Sequence, residues 1–105
     1  MIIQSYLKYL HRETELKLQL KKYSNGRLAI RAVDPMTGQE QATLSVNLPD
    51  EPLKEDEIFI KDYAENEGAF LTLARAGLVE HLGQVNSGFV KIDKCRWLQS
   101  VFDAE

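Results

Sequence analysis

The run Leu16-Lys17-Leu18-Gln19-Leu20-Lys21 constrains this chain more than any other stretch. Apolar and polar residues alternate strictly in it. Successive side chains of a strand point to opposite faces, so a strand gathers all three leucines on one side. On a helix Leu18 would point away from the other two. Tyr23-Ser24-Asn25-Gly26-Arg27 follows, and then a second alternating run, Leu28-Ala29-Ile30-Arg31-Ala32-Val33. Asn-Gly between two such runs marks a hairpin. A two-residue Asn25-Gly26 turn would set Leu20 against Arg31, a core residue opposite a surface one. A three-residue loop, Ser24-Asn25-Gly26, pairs Leu20 with Ile30 and Leu18 with Ala32 and keeps each face consistent. Gly26 then takes the left-handed position of a bulged loop.

Beyond the turn Asp34-Pro35-Met36-Thr37-Gly38, the run Ala42-Thr43-Leu44-Ser45-Val46-Asn47-Leu48 alternates again. Pairing Ala32 with Ala42 and Ile30 with Leu44 completes an antiparallel three-stranded meander over residues 15–48. Pro49 and Pro52 end it, because proline has no N–H for a ladder. Ile58-Phe59-Ile60 reads as a brief buried strand. Phe70, Leu73, Ala74 and Gly77 share one face of a helix over residues 67–76, with Asn66 as N-cap and Gly77-Leu78 as left-handed C-cap. Gly68 in its first turn should weaken that helix by up to ~1 kcal/mol. Leu78–Val85 and Phe89–Arg96 form a last hairpin around Asn86-Ser87-Gly88. Residues 2–10 fit either a helix or a strand, and the extended reading is preferred. Residues 98–105 are expected to fray.

The fold expected is therefore α+β, an antiparallel sheet (the 15–48 meander plus later short strands) with one core helix near residues 67–76. Its core should hold Leu18, Leu20, Ile30, Leu44, Val46, Phe70 and Leu73. With 105 residues, no repeat and no linker, residues 1–105 read as one small globular domain.

Several segments together resemble a known family. They are Tyr23-Ser24-Asn25-Gly26-Arg27-Leu28-Ala29-Ile30, Ala42-Thr43-Leu44-Ser45-Val46-Asn47-Leu48-Pro49 and Phe59-Ile60-Lys61-Asp62-Tyr63-Ala64-Glu65-Asn66-Glu67-Gly68. Ala76-Gly77-Leu78-Val79 and Ser87-Gly88-Phe89-Val90 complete the set. In this order, over residues 15–97, they resemble a family of small uncharacterised bacterial proteins, a domain of unknown function carried mainly on plasmids, conjugative elements and phages. The resemblance implies a bacterial or phage accessory protein and no activity. Residues 1–12 and the tail fall outside it.

Charge is segregated along the chain. Residues 1–33 hold seven basic residues against two acids, and residues 47–67 hold eight acids against two lysines, although the whole chain carries only -3. The derived registers put Lys17, Gln19, Lys21 and Tyr23 on one outer face, beside Arg27, Ala29, Arg31 and Val33, then Gln41, Thr43, Ser45 and Asn47. Lys17, Lys21, Tyr23, Arg27 and Arg31 thus make a candidate binding face without a carboxylate. Asp50, Glu51, Glu55, Asp56 and Glu57 make a candidate acidic surface. They lack the central glycine that a calcium loop needs.

Chemistry of other kinds finds little foothold. His11 and His81 are the only histidines and Cys95 the only thiol. Zinc ligands usually come in close-spaced pairs, and none occur here. Lys94 and Arg96 flank Cys95, but on a strand they face the other way, so a packed thiol is expected rather than an activated one. No phosphate loop, dinucleotide fingerprint or nucleophile elbow occurs. No cofactor, no metal and no enzymatic activity are expected. A lone cysteine fits the reducing cytoplasm. No apolar run approaches the ~18 residues of a membrane span, so no membrane partner is expected. Residues 1–13 carry no apolar h-region, so no secretion signal is read.

Three functional readings follow. The first is a non-catalytic accessory protein of a mobile element that binds a protein partner. The second is a weak nucleic-acid binder using the basic face, which has one aromatic where sheet readers of single strands carry two or three. The third is a DNA mimic presenting the acidic 50–67 segment. Opposite charges on two surfaces also allow weak self-association.

Overall fold

The computed structural model describes residues 1–8 and 14–99. Strands β1 (Ile2–Ser5), β2 (Thr14–Lys22), β3 (Leu28–Val33) and β4 (Glu40–Thr43) form an antiparallel sheet in that order. The β2–β3 register is the one the alternation demands, with Leu18 opposite Ala32 and Leu20 opposite Ile30. The three-residue loop closes as Tyr23 N–H donates to Arg27 O and Gly26 N–H to Tyr23 O, each at 2.8 Å. Gly26 has φ +85°, a conformation without steric cost only for glycine. β1 adds to the free edge of β2, with Ile3 opposite Leu16, so the start of the ambiguous 2–10 segment is a strand. Residues 9 and 10 of that segment lie outside the described residues.

The third meander strand departs from the expected 42–48. It starts at Glu40, and a register shift between Ala32 and Val33 sets Val33 opposite Glu40. Its ladder stops at Thr43, because the chain there changes partners. Leu44 N–H still donates to Ile30 O at 2.8 Å, but Lys61 N–H donates to Leu44 O at 2.9 Å and Val46 N–H to Phe59 O at 3.0 Å. Ser45 bridges Ile60. Residues 44–46 thus pass from the edge of the first sheet to the edge of a second. That second sheet has the order β5 (Glu57–Ile60), β7 (Val90–Trp97), β6 (Val79–Ser87).

The final hairpin also differs at its turn. Ser87 pairs with Val90, which leaves a two-residue loop, Gly88-Phe89, with Gly88 at φ +60°. Glycine at the first central position suits a II′ turn, whose twist matches that of the strands. Phe89, expected in the strand, stands fully exposed at the tip.

Helix α1 (Ala69–Arg75) packs against β1 and β6, one end strand of each sheet. Its C-terminus is capped as expected. Gly77 lies at φ +75°, Gly77 N–H donates to Ala74 O at 3.0 Å and Leu78 N–H to Leu73 O at 3.1 Å. The N-cap is corrected. Asn66 ends a short 3₁₀ turn (Ala64–Asn66) and donates its Nδ2–H to Thr43 O at 2.6 Å. Asp62 Oδ1 accepts instead from Gly68 N–H at 2.9 Å and Phe70 N–H at 3.0 Å.

One core draws on both sheets and the helix. It includes Leu16, Leu18, Ile30, Leu44, Ile58, Ile60, Leu73, Leu78, Cys95 and Trp97. Burying each large apolar side chain contributes about 1.5–3 kcal/mol. Leu20 and Phe70 are half-buried against this core, and Val46, expected within it, is half-buried outside it. Among the described residues, no helix is long and apolar enough to cross a membrane. Of the tail 98–105, Leu98 and Gln99 are exposed and residues 100–105 lie outside the described residues.

Candidate binding groove

The β2–β3 hairpin runs past the core. Leu20, Lys22 and Leu28 all have the inward parity set by Leu18, since Leu20 pairs with Ile30 and Lys22 with Leu28. Yet Leu20 and Leu28 are only half-buried and Lys22 is exposed. Among the described residues, no sheet lies opposite the overhang. The loop leading into β5 forms the facing wall, and the space between is an open groove of about 630 Å³. Half-buried Leu20, Leu28 and Leu53 line it, with exposed Lys21, Lys54 and Glu55 around them. A smaller pocket of about 200 Å³ shares Leu28, Glu55 and Glu57 with the groove and adds Asp56, Trp97 and Gln99. The Trp97 indole Nε1 is buried and has no hydrogen-bond partner among the described residues.

The groove gathers residues from both surfaces expected from the sequence, while each surface itself is altered. On the basic face, Lys17 and Lys21 are exposed as expected. Tyr23 and Arg27 are turned to a structural use. The Tyr23 hydroxyl shares a 2.8 Å hydrogen bond with Ser45 Oγ, which also accepts the Ile30 N–H at 3.0 Å. Arg27 donates to Leu48 O and Glu51 O, both at 2.7 Å, and so ties the segment after β4 to the hairpin. Arg31 pairs with Glu40 at 3.0 Å. The bulge that sets Glu40 beside Val33 therefore gives this face the carboxylate it was expected to lack. Ala29 and Val33 are buried, so the face is not an open sheet along β3.

The acidic surface is corrected in the same way. Asp50 and Glu55 are exposed, and Glu51 is half-buried. Glu57 is buried at 8% exposure. Its Oε1 accepts the Lys54 N–H at 3.0 Å and lies 3.5 Å from Lys94 Nζ. The Lys54 N–H first, then Lys94, hold this carboxyl below the ordinary glutamate range despite burial. Asp56 pairs with Arg96 at 3.2 Å, and Arg96 also donates to Glu80 at 2.6 Å. Four of the five acids precede β5, and the ladder of Glu57 with Arg96 draws the last two toward strand cations.

Sequence reasoning passed over Leu53 and Trp97. Leu53 carried a usable signal, as the one large apolar side chain between Pro49 and Ile58. Trp97 carried none, because its orphaned N–H depends on the tertiary fold.

Elsewhere, His81 Nε2 lies 2.9 Å from Asp93 Oδ1, which also accepts from Gln84 Nε2 at 3.0 Å. The Phe70 ring meets the imidazole edge-on at 5.2 Å between centroids. Cys95 pairs across the ladder with His81. Its thiol is fully buried and pushed up to about 12, by burial foremost and then by the charges of Asp93 and Asp62. A thiol so held stays protonated at neutral pH and is not a nucleophile. His11 lies outside the described residues. Among the described residues, no three His, Cys, Asp or Glu side chains gather as a metal site needs. No family model matches this chain, and no curated protein or solved structure is found similar to it.

Proposed function

We propose that this chain is a non-catalytic accessory protein of a mobile genetic element, acting in the cytoplasm by binding a protein partner in the groove beside the β2–β3 hairpin. One observation carries the reading. The groove leaves three leucines half-buried beside a rim of charged side chains, within a space of about 630 Å³. Apolar lining with a few polar groups at its edge is the general form of a recognition site. An opening along one side suits a chain segment better than an enclosed small molecule. The mobile-element setting rests on the resemblance over residues 15–97, which includes the hairpin.

The two other readings have less support. Tyr23, Arg27 and Arg31 of the basic face are engaged within the fold, which weakens a nucleic-acid surface. In the acidic segment, Glu65 and Glu67 pair with Lys61 and Lys8, as Asp56 and Glu57 pair with Arg96 and Lys94, which weakens a DNA mimic. A random-peptide display selection on the full chain tests the proposal. Sequences recovered on the wild type should be lost on Leu53→Lys, which charges the groove at a half-buried loop position, with a thermal melt to show that the variant folds. Recovery of the same sequences on both, or of none on either, overturns it.

A further inference from the structure

The second sheet has a long open edge. Its end strands are β5 and β6, and those of the first sheet are β1 and β4. β1 and β4 have only four residues each. The outer side of β5 is occupied, since Phe59 O accepts the Val46 N–H and Ser45 bridges Ile60. β6 has nine residues, and among the described residues no strand pairs with its side away from β7.

The ladder fixes which groups of β6 point outward. Hydrogen-bonded and non-bonded pairs alternate along an antiparallel ladder, and a two-residue loop closes on a bonded pair. Ser87–Val90 is therefore bonded, Asn86–Lys91 is not, Val85–Ile92 is, and Gln84–Asp93 is not. The far side of β7 agrees. Phe59 turns its carbonyl to Val46, away from β7, so its partner Lys94 turns toward β6 and bonds Gly83. Gln84 and Asn86 thus each aim an N–H and a C=O away from the sheet. Proteins blunt such edges with charge, proline, bulges or very short strands. Here Leu82-Gly83-Gln84-Val85-Asn86-Ser87 has no charged residue and no proline, and its bulge, at Leu82, lies at one end.

The edge fits its own copy. Being uncharged, it meets an identical strand without repulsion. Its outward residues are also symmetric, Gln84 and Asn86 about Val85, as a two-fold contact requires. An axis at Val85 bonds Asn86 of each copy to Gln84 of the other and pairs Gly83 with Ser87. The Gly88-Phe89 tip of one copy then lies level with His81 and Leu82 of the other. Phe89 and Leu82 are both exposed in the single chain, so the same register brings together two apolar side chains that the fold leaves in water.

Independently of the groove, we propose that β6 is an interface between two copies of this chain, its strands pairing antiparallel about Val85 so that the two three-stranded sheets join into one of six strands.

Sedimentation velocity on the full chain tests it. The mass should rise from that of one chain toward that of two, with half-association near about 0.1 mM for so short a ladder. Asn86→Pro removes an outward N–H and leaves the β6–β7 ladder its donors. It should fold, by its thermal melt, and weaken association about tenfold or more. Val85→Lys and Val85→Glu read the register. Position 85 faces itself across the axis in a non-bonded pair, where side chains come closest. Each variant should be monomeric alone, and the two should associate when mixed. Amide exchange is a reading without mutation: the Gln84 and Asn86 N–H should exchange fast in dilute protein and slow as concentration rises. Slow exchange at every concentration would show that the chain covers its own edge, and overturns the proposal. A single-chain mass up to about 1 mM, or undiminished association of folded Asn86→Pro, overturns it too. A Lys–Glu mixture that associates no better than its components overturns the register about Val85.

Discussion

Gly68→Ala should be among the most damaging small substitutions in this protein. Gly68 precedes α1 with φ +102°, where an L side chain is strained. Such backbone strain costs roughly 1–2 kcal/mol. Space is the second and larger problem. A Cβ built on Gly68 would overlap the carbonyl oxygen of Tyr6, lie 2.9 Å from the Tyr6 carbonyl carbon and 3.0 Å from Leu7 Cα. All three are backbone atoms, so no side chain can swing aside. The segment after β1 is pinned there on both sides of the contact. Tyr6 N–H donates to Thr72 Oγ1 at 2.8 Å and Lys8 N–H to Glu67 O at 2.9 Å. Separating β1 from the helix to admit a methyl group would break or stretch those bonds, and overpacking of this kind costs about 1–3 kcal/mol more. The total, about 2–5 kcal/mol, is a large part of the 5–15 kcal/mol of a small domain. Gly26→Ala supplies the control. Gly26 also has a positive φ, +85°, but a Cβ there meets nothing within 4 Å. It should lose only the backbone term, about 1 kcal/mol. Urea unfolding followed by Trp97 emission reads both variants on one scale, with equal slopes if only stability changes. Equal losses at the two glycines would refute the close approach of β1 to α1.

Leu44→Ala should cost about 2–5 kcal/mol in the same melt, because Leu44 is fully buried where the chain passes between the sheets. A loss under about 0.5 kcal/mol, the scale of a surface change, would remove it from the core. Glu57 has a folded pKa below its ordinary 4.5, chiefly from the Lys54 N–H. A depressed acid stabilises the fold above the unfolded value and loses that contribution as pH falls through the folded one. The margin of wild type over Glu57→Gln should therefore be full at neutral pH and shrink below about 4.5, and a margin independent of pH would refute the assignment. Cys95 is the opposite case, an acid raised from 9.0 to about 12. The unfolded thiol ionises first, so stability should fall as pH rises above about 9, and Cys95→Ser should flatten that fall. Iodoacetamide should label native Cys95 only as fast as the protein opens; labelling at the rate of a free thiol would contradict its burial.

The parts legible in the sequence are those governed by period two. Leu16, Leu18 and Leu20 admit one face, and that face admits one hairpin register, so the loop length and the left-handed Gly26 followed from parity alone. The passage of Leu44-Ser45-Val46 between sheets was not legible, because an alternating run can pair with any neighbour of matching parity. Its partner was decided by Ile58-Phe59-Ile60, a run buried along its whole length. The helix cap escaped for a related reason. Asn66 stands at the usual capping distance, but a 3₁₀ turn intervenes and Asp62 reaches over it to Gly68 and Phe70. Gly68 read as a weak point in a helix, whereas its lack of a side chain is what lets β1 and α1 meet.

Charge segregation along the chain was real, but it did not become two opposed faces. An antiparallel fold returns distant segments to one another and so mixes what the sequence separates. Lys8 meets Glu67 at 2.6 Å, and Arg31 meets Glu40 across the edge of the first sheet. Lys94 reaches Glu57, and Arg96 spans Asp56 and Glu80. The exposed pairs among these, such as Lys8 with Glu67, contribute little to stability. Their larger effect is to set an opposite charge beside some members of both expected surfaces. What remains is local. Lys21 and Lys54 stand at the groove and make no ion pair among the described residues. They come from opposite ends of the segregated sequence, one from the basic hairpin and one from the acidic loop. The hairpin overhang brings them to the same leucines, so net charge along the sequence misjudges this site while parity locates it. Lys22, carried at an inward position past the end of the core, is the residue that marks the overhang in the sequence.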